Sequence, residues 1–117
     1  MNEVQKQLFS LLCNFDHICR EFGIQYTLQG GTLLGAVREN KFISWDDDVD
    51  IAMSRNNYER FIEVFPTHSQ EYALLEGYVG GALQIIDKKN PQITADIFVY
   101  DYITEKKALQ KIRVSEF

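Results

Sequence analysis

Four carboxylates fall within five residues, at Asp46, Asp47, Asp48 and Asp50, and an apolar alternation of Val49, Ile51 and Met53 runs through and beyond them. In an extended strand Asp48 and Asp50 project from one face and the apolar residues from the other, with like-facing positions about 6.6 Å apart. Two like charges that close repel unless a cation or protons neutralise them. Oxygen-only ligands suit a hard ion such as Mg²⁺ or Mn²⁺. Asp47 would point toward the apolar face of a strand that began earlier, which assigns Asp46 and Asp47 to the preceding loop. A solvated acidic turn is the plain alternative, and the apolar alternation directly after the acids favours the metal reading.

Two further features could join that pair. Asp96 sits between Ala95 and Ile97 in a later apolar run, where an Asp is a poor strand former and is costly if buried without a partner. A shared cation could be that partner; alternatively the Asp96 side faces solvent beside Phe98 and Tyr100. Gly30 and Gly31 are adjacent where a strand turns into a helix. Such a pair exposes backbone N–H groups at the positive end of the helix and lets a phosphate approach, although a simple tight turn accounts for them equally well.

Other motifs fail on inspection. Asp46, Asp48 and Asp50 begin like an EF-hand loop, but Ile51 stands where Gly is needed and Asn57 where the bidentate Glu is needed. Gly30 and Gly35 have P-loop spacing, but Ala36 and Val37 replace the Lys and the Ser/Thr. His17 and His68 have no ligand or triad context, and Cys13 and Cys19 lie in one helix with no zinc spacing, which reads them as reduced packing residues.

These residues need a frame. Val4, Leu8, Leu11, Leu12, Phe15, Ile18, Cys19 and Phe22 recur at helical spacing before Gly23. Residues 25–28 read as a short strand, 32–38 as a helix with Leu33, Leu34 and Val37 inward, and 40–45 as a loop. Residues 48–53 form the acidic strand. Ser54 then caps a helix carrying Tyr58, Phe61, Ile62 and Phe65 that is expected to end before Pro66. Residues 72–79 and 82–87 read as strands around a Gly80-Gly81 hairpin turn, residues 88–91 as a polar turn, residues 93–100 as a strand and residues 104–114 as a weaker helix. In the strand over 93–100, Ala95, Ile97 and Val99 share one face, and Thr94, Asp96, Phe98 and Tyr100 the other. The expected class is α+β, a small mixed sheet covered by helices, in a single domain over residues 1–117.

With 117 residues and 45% hydrophobic content, the chain can bury one core. Its net charge of -5 offers no basic stripe for nucleic acid or anionic membranes. No basic-then-apolar leader and no apolar run of about 18 residues is present, so a cytoplasmic location is expected. Tyr72, Tyr78 and Tyr102 read as half-buried packing rather than an interface.

The run Gly30-Gly31-Thr32-Leu33-Leu34-Gly35-Ala36-Val37-Arg38, followed by Phe42-Ile43-Ser44-Trp45-Asp46-Asp47-Asp48-Val49-Asp50-Ile51, resembles the LicD family of the nucleotidyltransferase-fold superfamily. Asp96-Ile97-Phe98-Val99-Tyr100-Asp101 is similar to that family's third block, and Arg55, Tyr58 and Phe61 to the helix after the acid pair. The similarity covers residues 27–101. It implies a nucleotidyltransferase-like core and a metal-dependent transferase that moves a phosphorylated alcohol, such as phosphocholine, from a CDP-linked donor to a glycan hydroxyl. It implies that Asp48 and Asp50 hold Mg²⁺ (or Mn²⁺), and that Asp96 shares a second ion or deprotonates the acceptor. Gly30, Gly31 and Thr32 would cradle donor phosphate. Arg38 would add an anion contact or serve only as a surface helix cation.

The chain departs from the family pattern at Ser44, where Pro is common, and at Val99-Tyr100, where Pro-Leu is usual. Family members usually continue well beyond the third acid, so the chain reads as a fragment, a naturally short relative or a subunit whose partner completes the site. Three other readings compete. A nucleotidyltransferase would use a nucleoside triphosphate, and a truncated module would bind nucleotide and metal without turnover. A glycosyltransferase with an acid-x-acid motif would leave the Gly pair unexplained.

Overall fold

The first helix, α1 (Glu3–Glu21), starts where the sequence supplies a reciprocal cap. The Asn2 side chain accepts the Gln5 N–H at 2.8 Å, and the Gln5 side chain accepts the Asn2 N–H at 3.2 Å. The helix stops at Gly23, whose φ of 67° suits glycine, and the Ile24 N–H donates back to Cys19 O at 2.8 Å to close the end. The computed structural model describes residues 2–28, 31–39, 49–76 and 83–100, with the backbone alone at 31–34.

The remaining elements are β1 (Thr27–Leu28), α2 (Gly31–Glu39), β2 (Asp50–Ser54), α3 (Arg55–His68), β3 (Tyr72–Glu76), β4 (Leu83–Asp87) and β5 (Thr94–Tyr100). This is the expected α+β order. The Gly80-Gly81 turn, the helix expected over 104–114, the loop over 40–45, and Tyr78 and Tyr102 lie outside the described residues, as do the side chains of Leu33 and Leu34.

The five strands form one sheet in the order β1-β2-β5-β4-β3. β2 and β5 run parallel at its centre, and every other neighbouring pair is antiparallel. Period-two alternation gives the sheet two unlike faces. Val49, Ile51, Met53, Ala95, Ile97, Leu83 and Ile85 are buried beneath the helices. Leu8, Leu11, Leu12, Phe15 and Ile18 of α1 join Phe61 and Phe65 of α3 in the same core. Phe15 meets Tyr26 and Phe61 edge-on, at ring separations of 4.6 and 5.3 Å.

Several boundaries shift by one or two residues, as where β1 begins at Thr27 rather than residue 25 and β2 extends to Ser54, and one differs more. α3 runs through Pro66 to His68 instead of ending before the proline. Pro66 sits in the last turn, so its missing N–H removes a single helical bond, the one to the Ile62 carbonyl. Nearby carbonyls still find donors: Thr67 Oγ1 donates to Val64 O at 2.9 Å, and the Ser69 N–H to Phe65 O at 3.0 Å. Ile62, expected inward with Phe61, is 39% exposed, so the apolar stripe of α3 is narrower than the sequence suggests.

Candidate functional site

Asp50 opens β2 and Asp96 is the third residue of β5, and the parallel register pairs these two Cα positions directly. Neighbouring strands lie about 4.8 Å apart, so two carboxylates start side by side on the same face. That face is the one away from the buried residues: Asp50 and Asp96 are half-buried, while Val49, Ile51, Ala95 and Ile97 beside them are 5% exposed or less. The strand alternation read from sequence therefore places Asp96 with Thr94, Phe98 and Tyr100, opposite the core.

A third polar residue extends the row. Gln84 of β4 pairs with Asp96, and its Nε2 donates to Asp96 Oδ1 at 3.0 Å. This fixes one carboxylate oxygen in orientation and leaves the other to be used. The sequence offers no local sign of Gln84, because its importance depends on a pairing between strands. Asp50, Gln84 and Asp96 border an open pocket of about 530 Å³ at the end of the sheet where β2 and β5 begin, closed on another side by Val4 and Leu8 of α1.

The start of α2 reaches the same end of the sheet. Leu28, the last residue of β1, pairs with Ile51, and α2 begins at Gly31, three positions later. The start of α2 is thereby brought to the flank of β2 next to Asp50. Gly31 and Thr32 lie in the first turn of α2, whereas Gly30 and Asp48 lie outside the described residues, as do Asp46 and Asp47. Among the described residues no three His, Cys, Asp or Glu side chains cluster as a metal site. The donor set there is the Asp50 and Asp96 pair with the Gln84 amide, all of it oxygen and nitrogen with no sulfur or imidazole. Its two carboxylates fit a hard cation rather than zinc.

Arg38 sits in the last turn of α2, and its Nε lies 3.5 Å from Asp16 Oδ1 on α1. Asp16 is 3% exposed and also accepts the Tyr26 hydroxyl and faces Arg20 Nη1 at 3.6 Å. The Arg38 guanidinium lies 5.9 Å from the Tyr26 ring centre, in cation–π range. Asp16 thus ties α2 to α1 and to the residue leading into β1. The sequence reading passed over it because Asp16 falls on the apolar stripe between Phe15 and Cys19. An acid interrupting such a stripe was the available signal.

The cysteines and histidines stay outside the row of carboxylates. Neither thiol is in a disulfide; Cys19 is buried in the core, and Cys13 is half-buried with its Sγ donating to Val37 O at 3.9 Å. Burial foremost, and then the charge of Asp16, pushes the Cys13 thiol up to about 11, so little thiolate exists near neutral pH. His17 is on the surface 3.9 Å from Glu21, and the His68 ring packs edge-on against Phe22.

Comparison with known proteins bears on these residues. The family model described as LicD/FKTN/FKRP, nucleotidyltransferase domain, matches residues 23–113, a span that includes both carboxylates, the start of α2 and Gln84. The chain is 35% identical to the lipopolysaccharide cholinephosphotransferase LicD of Haemophilus influenzae, over 86% of its own length and 44% of that protein's. It is 33% and 32% identical to uncharacterized proteins of Rickettsia typhi and Rickettsia prowazekii, over 54% of its own length in each case and 20% and 24% of theirs. The chain spans less than half the length of these relatives.

Proposed function

The chain belongs to the LicD/FKTN/FKRP nucleotidyltransferase domain family, and from that premise we propose that it carries the catalytic centre of a transferase moving phosphocholine, or a similar phosphorylated alcohol, from a CDP-linked donor to a glycan hydroxyl. The observation that supports it most is the pairing of Asp50 with Asp96 at one register on the face of the sheet opposite the buried residues, beside the start of α2.

Each residue has a task in this reading. The N–H groups at the start of α2, at Gly30, Gly31 and Thr32, receive the donor phosphates, with the helix dipole favouring the anion. Asp48 and Asp50 would hold Mg²⁺ or Mn²⁺, which when bound would offset the charge of the diphosphate and of the leaving oxygen. Asp96, steadied by Gln84, accepts the proton of the acceptor hydroxyl. The acceptor oxygen then bonds to the phosphorus of the phosphocholine group, and the bond from that phosphorus to the CMP oxygen breaks. Arg38 secures α2 through Asp16, and that links the phosphate-binding turn to the body of the domain. The unbridged thiols fit a reducing compartment such as the cytoplasm, and no described helix is long and apolar enough to cross a membrane.

The test is CMP release from CDP-choline in the presence of Mg²⁺ and an oligosaccharide acceptor. Asp96→Asn is expected to lower the rate by about 10²–10⁴-fold, the usual range for a lost general base, and Asp50→Asn to lower it comparably, both with unchanged circular dichroism. Undiminished CMP release by either variant would remove that residue from the reaction. Release of pyrophosphate from a nucleoside triphosphate instead would identify a nucleotidyl transfer served by the same carboxylates.

A further inference from the structure

Phe98 follows Asp96 by two residues on β5 and shares its face, so its ring rises from the sheet about 6.6 Å further along the strand. It is 48% exposed, an unusual position for a phenyl group at the centre of a five-stranded sheet. Its row neighbour on β2 is Ala52, and beyond that on β1 comes Thr27. Neither of these small side chains can cover the ring.

The sheet also distinguishes the two substrates by side. The start of α2 follows β1, so donor phosphates held there approach Asp50 from the β1 flank. Asp96, Gln84 and Phe98 lie on the side away from that flank, across β5 and β4. A nucleophile that gives its proton to Asp96 must enter from there. We propose that Phe98 is the floor of the acceptor subsite and stacks against the apolar C–H face of a pyranose ring, presenting that sugar's hydroxyl to Asp96. A sugar ring has polar edges and a less polar face, so a flat aromatic surface gains dispersion and apolar burial from the face while Gln84 and the carboxylates meet the edge. An open-chain polyol has no such face to lay down.

This inference rests on the acceptor being a glycan, and the experiment separates the two ideas. Saturation-transfer difference NMR on the full chain, with lactose and separately with ribitol at millimolar concentration, reads acceptor contact without requiring turnover. Wild type is expected to transfer saturation to the ring C–H protons of lactose, and Phe98→Ala to lose that signal at least fivefold. Phe98→Leu, which keeps apolar bulk without the ring, is expected to lose it as well, whereas Phe98→Trp is expected to retain it. The KM for CDP-choline in CMP release is expected to stay unchanged in all three.

Lactose contact that persists in Phe98→Ala or Phe98→Leu, or ribitol contact that depends equally on the ring, would overturn the subsite. So would a raised donor KM, which would put Phe98 on the CDP side. Ring-dependent lactose contact in a chain that releases no CMP would uphold the subsite and reject the transfer reaction.

Discussion

Asp16 shows how a single buried acid serves the site without touching it. It accepts from Tyr26, lies against Arg38 and is almost wholly buried, so removing its charge weakens the hydrogen bond from the hydroxyl and takes the carboxylate away from the guanidinium. Asp16→Asn is expected to cost about 2–3 kcal/mol, between a lost charged hydrogen bond and a broken buried pair. Urea unfolding measures this directly, and a change under about 0.5 kcal/mol would show that Arg38 is held by other contacts. At the residue scale the sequence was only partly legible. Asp50 and Asp96 stood out because an acid in an alternating strand breaks a short, clear pattern. Asp16 did not, since one polar residue on a broad helical stripe leaves the pattern intact. Gln84 could not be found at all, because its role comes from a neighbour across the sheet.

Among the elements, α3 shows how local chemistry positions a helix against a strand. Ser54 ends β2, and its hydroxyl accepts from both the backbone N–H and the side-chain amide of Asn57, at 3.4 and 2.8 Å. Asn57 Oδ1 in turn accepts the Gln25 N–H at 2.8 Å, so one cap joins the start of α3 to the approach into β1. Ser54→Ala is expected to cost about 1 kcal/mol, the usual cap value, and Asn57→Ala somewhat more because two connections go. Thermal denaturation of the two variants checks the order, and an equal or reversed ranking would separate the β1 link from the cap. Helix starts were readable here because caps are short-range. The end of α3 was not, because Pro66 removes only one helical bond and the burial of Phe65 holds the last turn in place.

Across the whole molecule, burial leaves a group of acidic protons that only the unfolded chain gives up easily. The thiols of Cys13 and Cys19 and the hydroxyls of Tyr26 and Tyr72 are all raised above their ordinary values, burial being the first cause in each. Cys13 reaches about 11 and Tyr72 about 12, from ordinary values of 9.0 and 10.0. A raised acid keeps its proton longer in the folded state, so this stabilisation is complete below the unfolded values and is lost as pH climbs through them. Stability is therefore expected to hold to about pH 8.5 and to fall steadily above it, as unfolded thiols and then tyrosines ionise. Urea midpoints at rising pH test this, and Tyr26→Phe is expected to flatten the decline. A midpoint that does not move between neutrality and the tyrosine range would contradict the burial of these groups. At this scale the sequence supplied the class of fold and most elements. It did not supply the order of strands, because the pairing of β2 with β5 joins residues that are distant along the chain.

That pairing has one more consequence. A slip of β5 by a single residue against β2 would set Ala95 or Ile97 opposite Asp50 and turn Asp96 into the hydrocarbon beneath the helices. The same backbone ladder aligns the acids and seats the core, so an error in one cannot hide behind the success of the other. Misthreaded molecules would fail to assemble rather than accumulate as well-folded but inert copies. In this protein the alignment of Asp50 with Asp96 is proofread by the oil on the opposite side of the sheet.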